Sequence, residues 1–157
     1  MTTLQWVLGF HLVGAFLFLA GGIAVGALHE LASRRERPSE VAFLLGLTRQ
    51  AVGVVGLGAL ATLGFGAWLV DEGGFSWGDG WISAALLLWI ASVVLGGIGG
   101  RSARHTRYLA ERLASAGDQP SEELRRALAD PLAQVLNYGS FLAVVALLAL
   151  MVWKPGA

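Results

Sequence analysis

Three histidines, two methionines and no cysteine are the nitrogen and sulfur ligands this 157-residue chain has for a metal or cofactor. His11 stands out among them. It lies inside an uncharged apolar run, where a titratable, metal-competent ring is costly unless it is paired or functional. A partner must come from another segment at similar depth. Met151 and Lys154, near the end of the last apolar run, are the cofactor-binding candidates beside His11, and His11 is the metal-ligand candidate. A His/Met pair suits haem iron and copper. The alternative is a neutral His11 hydrogen-bonded to a backbone carbonyl or to a hydroxyl such as that of Thr62 or Ser83. His29 lies eighteen residues further on, ~27 Å along a helix, so the two rings cannot share one metal within a chain. His105 sits among arginines and is expected in water. The chain has no serine–histidine–acid set, no phosphate-binding loop and no paired intramembrane carboxylates. Catalysis is therefore left open, with the balance against it, and proton-coupled transport is disfavoured.

The elements that must position these residues are four apolar runs, at about 4–28, 41–70, 81–100 and 133–153. About 20 apolar residues in a helix match the ~30 Å hydrocarbon core of a bilayer. The chain is 55% hydrophobic and 14% charged, with a mean hydropathy of +0.65. A soluble domain carries about a quarter charged residues. The expectation is an all-α protein: one integral membrane domain over 1–157, built as a four-transmembrane-helix bundle. The formal net charge of zero gives no electrostatic case for nucleic acid. The partners expected are the lipid bilayer and either another membrane protein or a second copy. The first run has no basic residues before it and exceeds the 7–15 apolar residues of a signal peptide, so it reads as a retained helix.

Arginine distribution sets the expected orientation. Arg34, Arg35 and Arg37 follow the first run, and six more arginines follow the third, from Arg101 to Arg126. The Asp71–Gly80 connection has none. Both basic loops are expected in the cytoplasm of a bacterial inner membrane, with both termini outside. Trp6, Trp68, Trp77, Trp81 and Trp153 all fall towards the outer ends, where indole rings anchor at the headgroups.

Between the runs, Pro38-Ser39 reads as the start of the second helix, with Ser39 as its N-cap type. The third helix should continue past Gly100 as a polar extension to Ala116-Gly117. Ser121-Glu122-Glu123-Leu124 reads as a new helix start, and Pro131 as a kink or restart. The long third connection is thus a cytoplasmic helical hairpin. Twenty-two glycines, most of them inside the runs, imply close backbone packing. Gly22 with Gly26 and Gly96 with Gly100 are the expected contact pairs. On the first helix, His11, Ala15, Phe18 and Gly22 form the expected inward stripe, with Phe16, Leu19 and Ile23 towards lipid. On the last helix, Asn137 is the expected cross-helix hydrogen bonder.

Phe10-His11-Leu12-Val13-Gly14-Ala15 with Leu19-Ala20-Gly21-Gly22, the segment Thr62–Leu69, and the closing Leu150-Met151-Val152-Trp153-Lys154-Pro155-Gly156 resemble an uncharacterised bacterial four-helix integral-membrane family. That family is itself similar to the J-type protoporphyrinogen oxidase and to the copper-resistance protein D membrane domain. Both place a histidine early in a first helix of this kind, and the oxidase ends its last helix near a Lys-Pro. The resemblance implies haem b, or copper, at His11, with Lys154-Pro155 as the matching terminus. It does not carry over oxidase activity, because the oxidase's other polar intramembrane positions have no match here. Two roles follow as expectations: a small haem- or copper-binding membrane protein, and a non-catalytic accessory or scaffold subunit that packs against a partner or itself.

Overall fold

The computed structural model describes residues 2–155; Gly156, which closes the terminal motif, lies outside them. Five helices follow one another: α1 (Thr3–Ser33), α2 (Pro38–Glu72), α3 (Gly80–Ser115), the short α4 (Glu122–Leu128) and α5 (Pro131–Trp153). No strand occurs among the described residues. α1, α2, α3 and the α4–α5 segment are each long and apolar enough to cross a membrane. α1 and α2 form one close antiparallel pair and α3 and α5 another; α2 and α3 join them.

The helix ends follow local chemistry. Thr2 and Gln5 close a capping box at α1. The Ser121 hydroxyl accepts from the Leu124 amide to start α4. Pro131 restarts the chain as the first residue of α5, where its missing N–H costs nothing. The Asp130 carboxylate caps that helix by accepting from the Leu132 amide at 3.0 Å, and it also accepts from the Ser102 hydroxyl at 2.9 Å. These bonds, the Ser102 one foremost, hold the Asp130 carboxyl below the usual carboxylate range.

The start of α2 differs from the sequence expectation. Arg37 is the N-cap residue and has no side-chain cap bond, Pro38 is already helical, and Ser39 lies inside the helix. The cap comes from Asp118, 79 residues away, which accepts from both the Ser39 amide and the Ser39 hydroxyl at 2.7 Å. Asp118 reaches this position because Gly117 and Asp118 both take positive φ, +123° and 55°, and reverse the chain after α3. The Ser39 hydroxyl and amide, with Arg37 adding a charge, hold the Asp118 carboxyl low.

At the arginine-rich end a compact core draws on four helices: Ala32, Val41, Leu45, Leu109, Leu124 and Leu128, with Ala110 among them. Val41 and Leu45 are fully buried there. The hairpin expected after Gly100 is therefore a packed lid on the bundle, made by the end of α3 and by α4.

In the apolar section, small residues set the packing. The buried face of α1 is Val7, His11, Gly14, Phe18 and Gly21. Its steps of four and three are those of a left-handed coiled-coil seam. The expected stripe through Ala15 and Gly22 has the same period but lies one residue round the helix. Gly58 of α2 decides between them. A Cβ on Gly58 would run into the Phe18 amide and the Gly14 carbonyl, so the α2 backbone sits directly against that side of α1. A Cβ on Gly14 would lie 2.8 Å from the Thr62 amide, and one on Gly21 would lie 2.7 Å from Val55 Cγ2. Of the four glycines expected at contacts, only Gly96 is at one, against Ser140; Gly22, Gly26 and Gly100 have open space where a Cβ would be. Phe16 and Ile23 are exposed as expected, whereas Leu19 packs inward beside Phe18 and Trp89.

The α3–α5 pair uses polar small residues. Ser92 and Gly99 are buried on α3. The Ser140 hydroxyl donates across to the Ser92 carbonyl at 2.8 Å. Asn137 packs against Gly99, but Ser140 makes the crossing hydrogen bond.

Candidate functional site

His11 is buried on α1, pointing at α2 and not at the surroundings, as its residue type demands in an apolar segment. Its Nδ1 lies 3.0 Å from the Thr62 carbonyl oxygen. A carbonyl can only accept, so Nδ1 carries the proton and, in the neutral ring, the lone pair is left on Nε2. Gly66, one turn beyond Thr62, makes the space. A Cβ there would come within 3.1 Å of His11 Cε1 and 3.3 Å of Nδ1. The imidazole therefore lies against bare helix backbone. The Thr62 hydroxyl is not the partner; it donates to the Gly58 carbonyl within its own helix at 2.8 Å. Ser83 is exposed.

Met151 and Lys154 belong to a different cluster. Met151 packs with Leu150 on the core formed by Val70, Trp81 and Ile82. The Lys154 ammonium lies 4.7 Å from the centre of the Phe75 ring and 5.7 Å from that of Trp81. These are cation–π contacts. Phase and place explain them: Lys154 turns left-handed at the end of α5 and folds its side chain over the α2–α3 connection. The structure thus brings Met151 and Lys154 together with Phe75 and Trp81, and brings His11 to Thr62 and Gly66. His29 is half-buried far along α1, and His105 is exposed, as expected. Among the described residues no group of three His, Cys, Asp or Glu side chains is arranged to hold a metal ion.

Two features of the site have no sequence signal of their own. The acceptor for His11 is a main-chain carbonyl, which every residue possesses. Gly66 is one glycine among many on α2, and only its position opposite His11 gives it a role. The indole N–H groups of Trp81 and Trp89 are buried without hydrogen-bond partners.

An all-helical bundle with four long apolar helices, aromatic side chains near its ends and an arginine-rich lid is a multi-pass integral membrane protein. Residues 2–155 match the model of the family described as predicted integral membrane protein (DUF2269), and the chain belongs to that family. Neither a curated protein nor a solved structure matches it.

Proposed function

We propose that this protein is a non-catalytic membrane subunit that assembles with a second copy of itself through the glycine face of α1. The observation that carries this reading is the division of the glycines into two sets. Gly14, Gly21, Gly58 and Gly99 are filled by neighbouring helices, while Gly22 and Gly26 of α1 have nothing within 4 Å of a would-be Cβ. Glycine in a helix interior costs up to about 1 kcal/mol relative to alanine. Close approach of a second helix at a small-xxx-small pair offsets that cost in a bilayer. A two-fold axis along the membrane normal would bring the same face of two copies together. Energy transfer between labelled copies in liposomes tests this. Wild type should show transfer that falls on dilution with lipid, and the double change Gly22→Leu, Gly26→Leu should abolish it without unfolding the protein. Equal transfer in the two proteins would overturn the reading.

The orientation that goes with it has the arginine-rich lid in the cytoplasm and both ends of the bundle's chain outside, supported by nine arginines in two loops against none in the Asp71–Gly80 connection. A cysteine at Thr3 or Ser76 should react with an impermeant reagent applied from outside, and one at Ser115 should not.

A second reading is favoured by the tautomer of His11. With Nδ1–H donated to a carbonyl, Nε2 is in the form that ligates a metal, the arrangement usual for ligating histidines. On this reading His11 would be a single ligand to a haem iron or a copper ion, with Met151 and Lys154 packed in the separate cluster at Phe75 and Trp81. A haem bound there would supply redox chemistry, and His11, Thr62 and Gly66 would orient it. The detergent-purified protein should then show a Soret band or stoichiometric copper, lost in His11→Phe. A colourless, copper-free preparation from cells supplied with both would remove this reading and leave His11 as a packing residue.

A further inference from the structure

We infer that the exposed face of α3 binds an anionic phospholipid at the arginine-rich end of the bundle, through Arg101, Arg104 and Tyr108. α3 is buried at every seventh residue, at Ala85, Ser92, Gly99 and Thr106. On the opposite side runs a continuous stripe at steps of three and four: Leu87, Ile90, Val94, Gly97, then Arg101, Arg104 and Tyr108, all exposed. The apolar part of the stripe has the composition of a lipid-facing surface. Gly97 has open space where a Cβ would be and leaves a notch in it. Arg101 is four residues, ~6 Å, past that notch, and Tyr108 is ~10 Å further along the axis than Arg101. That span covers the headgroup layer, which is ~5–7 Å thick on each side of the hydrocarbon.

The ion pairs at this end leave the two guanidinium groups of the stripe open to a counterion from outside the chain. Arg34, Arg35, Arg107, Arg112 and Arg125 each lie within 2.8–3.6 Å of a glutamate oxygen. Asp118 is engaged by Ser39 and Asp130 by Ser102. Among the described residues, Arg101 and Arg104, like Arg37, Arg49 and Arg126, have no carboxylate within 4.0 Å, and they are the two of these that lie on the stripe. Beside them the Arg107 guanidinium stacks on the Tyr108 ring at 4.8 Å, which holds the phenol at the upper edge of the stripe. A molecule with acyl chains and a phosphate matches the whole stripe: chains on Leu87, Ile90 and Val94, phosphate between the two free guanidinium groups, and a headgroup hydroxyl at the phenol. An acidic peptide would use only the upper third of it.

Native mass spectrometry of the full chain, released from detergent with added phosphatidylglycerol, phosphatidylcholine or inorganic phosphate, tests the assignment. Wild type should retain phosphatidylglycerol in preference to phosphatidylcholine. The variant Arg101→Gln, Arg104→Gln should retain it roughly thirtyfold less, from about 1 kcal/mol for each of the two interfacial arginines. The control Arg112→Gln, Arg125→Gln removes the same net charge from paired positions and should behave as wild type. Equal loss in both variants would mean a general charge effect and overturn the site. So would equal retention of the two lipids by wild type, or displacement of the lipid by an equal concentration of inorganic phosphate. Circular dichroism of each variant checks that the helices are intact, and all four arginine side chains project from exposed or surface positions.

Discussion

The lid at the arginine-rich end, built from α1, α2, α3 and α4, and the apolar section of the bundle, built from α1, α2, α3 and α5, share three helices, yet they are held by different forces. The lid is packed as a water-soluble core is packed: seven aliphatic side chains from four helices, including a fully buried Val41 and Leu45, with glutamate–arginine pairs round the rim. There the driving force is removal of apolar surface from water. In the apolar section that force is absent between helices, since lipid is as apolar as leucine. Many large side chains point outward, with Phe18, Trp81 and Ile82 among those that are buried, and the closest helix contacts are made by what is small: Gly14, Gly21 and Gly58 on one pair, Ser92, Gly96, Gly99 and Ser140 on the other. The same residue change should therefore have opposite consequences in the two regions. Truncation should damage the lid, and enlargement should damage the seam.

The largest effect is expected in the lid. Leu45→Ala should lower unfolding free energy by about 2–5 kcal/mol, the usual range for a buried leucine. Thermal unfolding in detergent measures it. A loss no greater than that of the exposed Leu60→Ala would break the comparison.

Enlargement of the seam comes next. Gly58→Leu should cost about 1–3 kcal/mol or prevent α1–α2 association altogether, because the new side chain meets backbone on α1 that cannot move aside alone. Gly64→Leu, on the open side of the same helix, should leave the thermal midpoint nearly unchanged. If the two were equally harmful, glycine flexibility and not close approach would be the reason for glycine on α2.

Replacing His11 by leucine should cost less, about 0.5–1.5 kcal/mol, the net worth of one buried hydrogen bond with its acceptor retained within the helix ladder. Combining it with Gly66→Ala should be non-additive, because both changes act on one contact. Strict additivity would mean that the ring and the bare backbone at Gly66 do not depend on each other.

The smallest effect concerns the latch between Asp118 and Ser39. The folded-state carboxyl of Asp118 is held low, first by the Ser39 hydroxyl, then by its amide. Stability from this link is present above the ordinary aspartate range near 3.9 and is lost as pH falls through the lower folded value. The thermal midpoint of wild type should therefore fall on acidification below about pH 4. Asp118→Asn should begin lower and show a shallower acid limb. Identical limbs would assign the acid sensitivity to the other carboxylates of the lid.

How much of this was legible in the sequence depended on whether a feature resides in side chains or in backbone. The four spans, the restart at Pro131, the Ser121 start and the stop at Gly117 were legible, because hydropathy and capping chemistry are local. The burial of His11 was legible as well, since an imidazole in an apolar run has little choice. Its partner was not, because a main-chain carbonyl leaves no mark on residue type. The contact glycines were misassigned for a geometric reason. A seam through Gly14 and Gly21 and one through Ala15 and Gly22 share His11, Phe18 and the same period, and the choice lies with Gly58 on the facing helix. The Asp118 cap on α2 was out of reach because a link across 79 residues has no local pattern.

The open glycine face of α1, as the proposed surface for a second copy, can be tested directly. The chain has no cysteine, so a single cysteine at Gly22 can be followed without background. In native membranes under mild oxidation, full-length protein with cysteine at Gly22 should form a disulfide-linked dimer, while a cysteine at the exposed Leu142 of α5 should remain monomeric. Dimer from Leu142 but not from Gly22, or equal yields from the two, would contradict it.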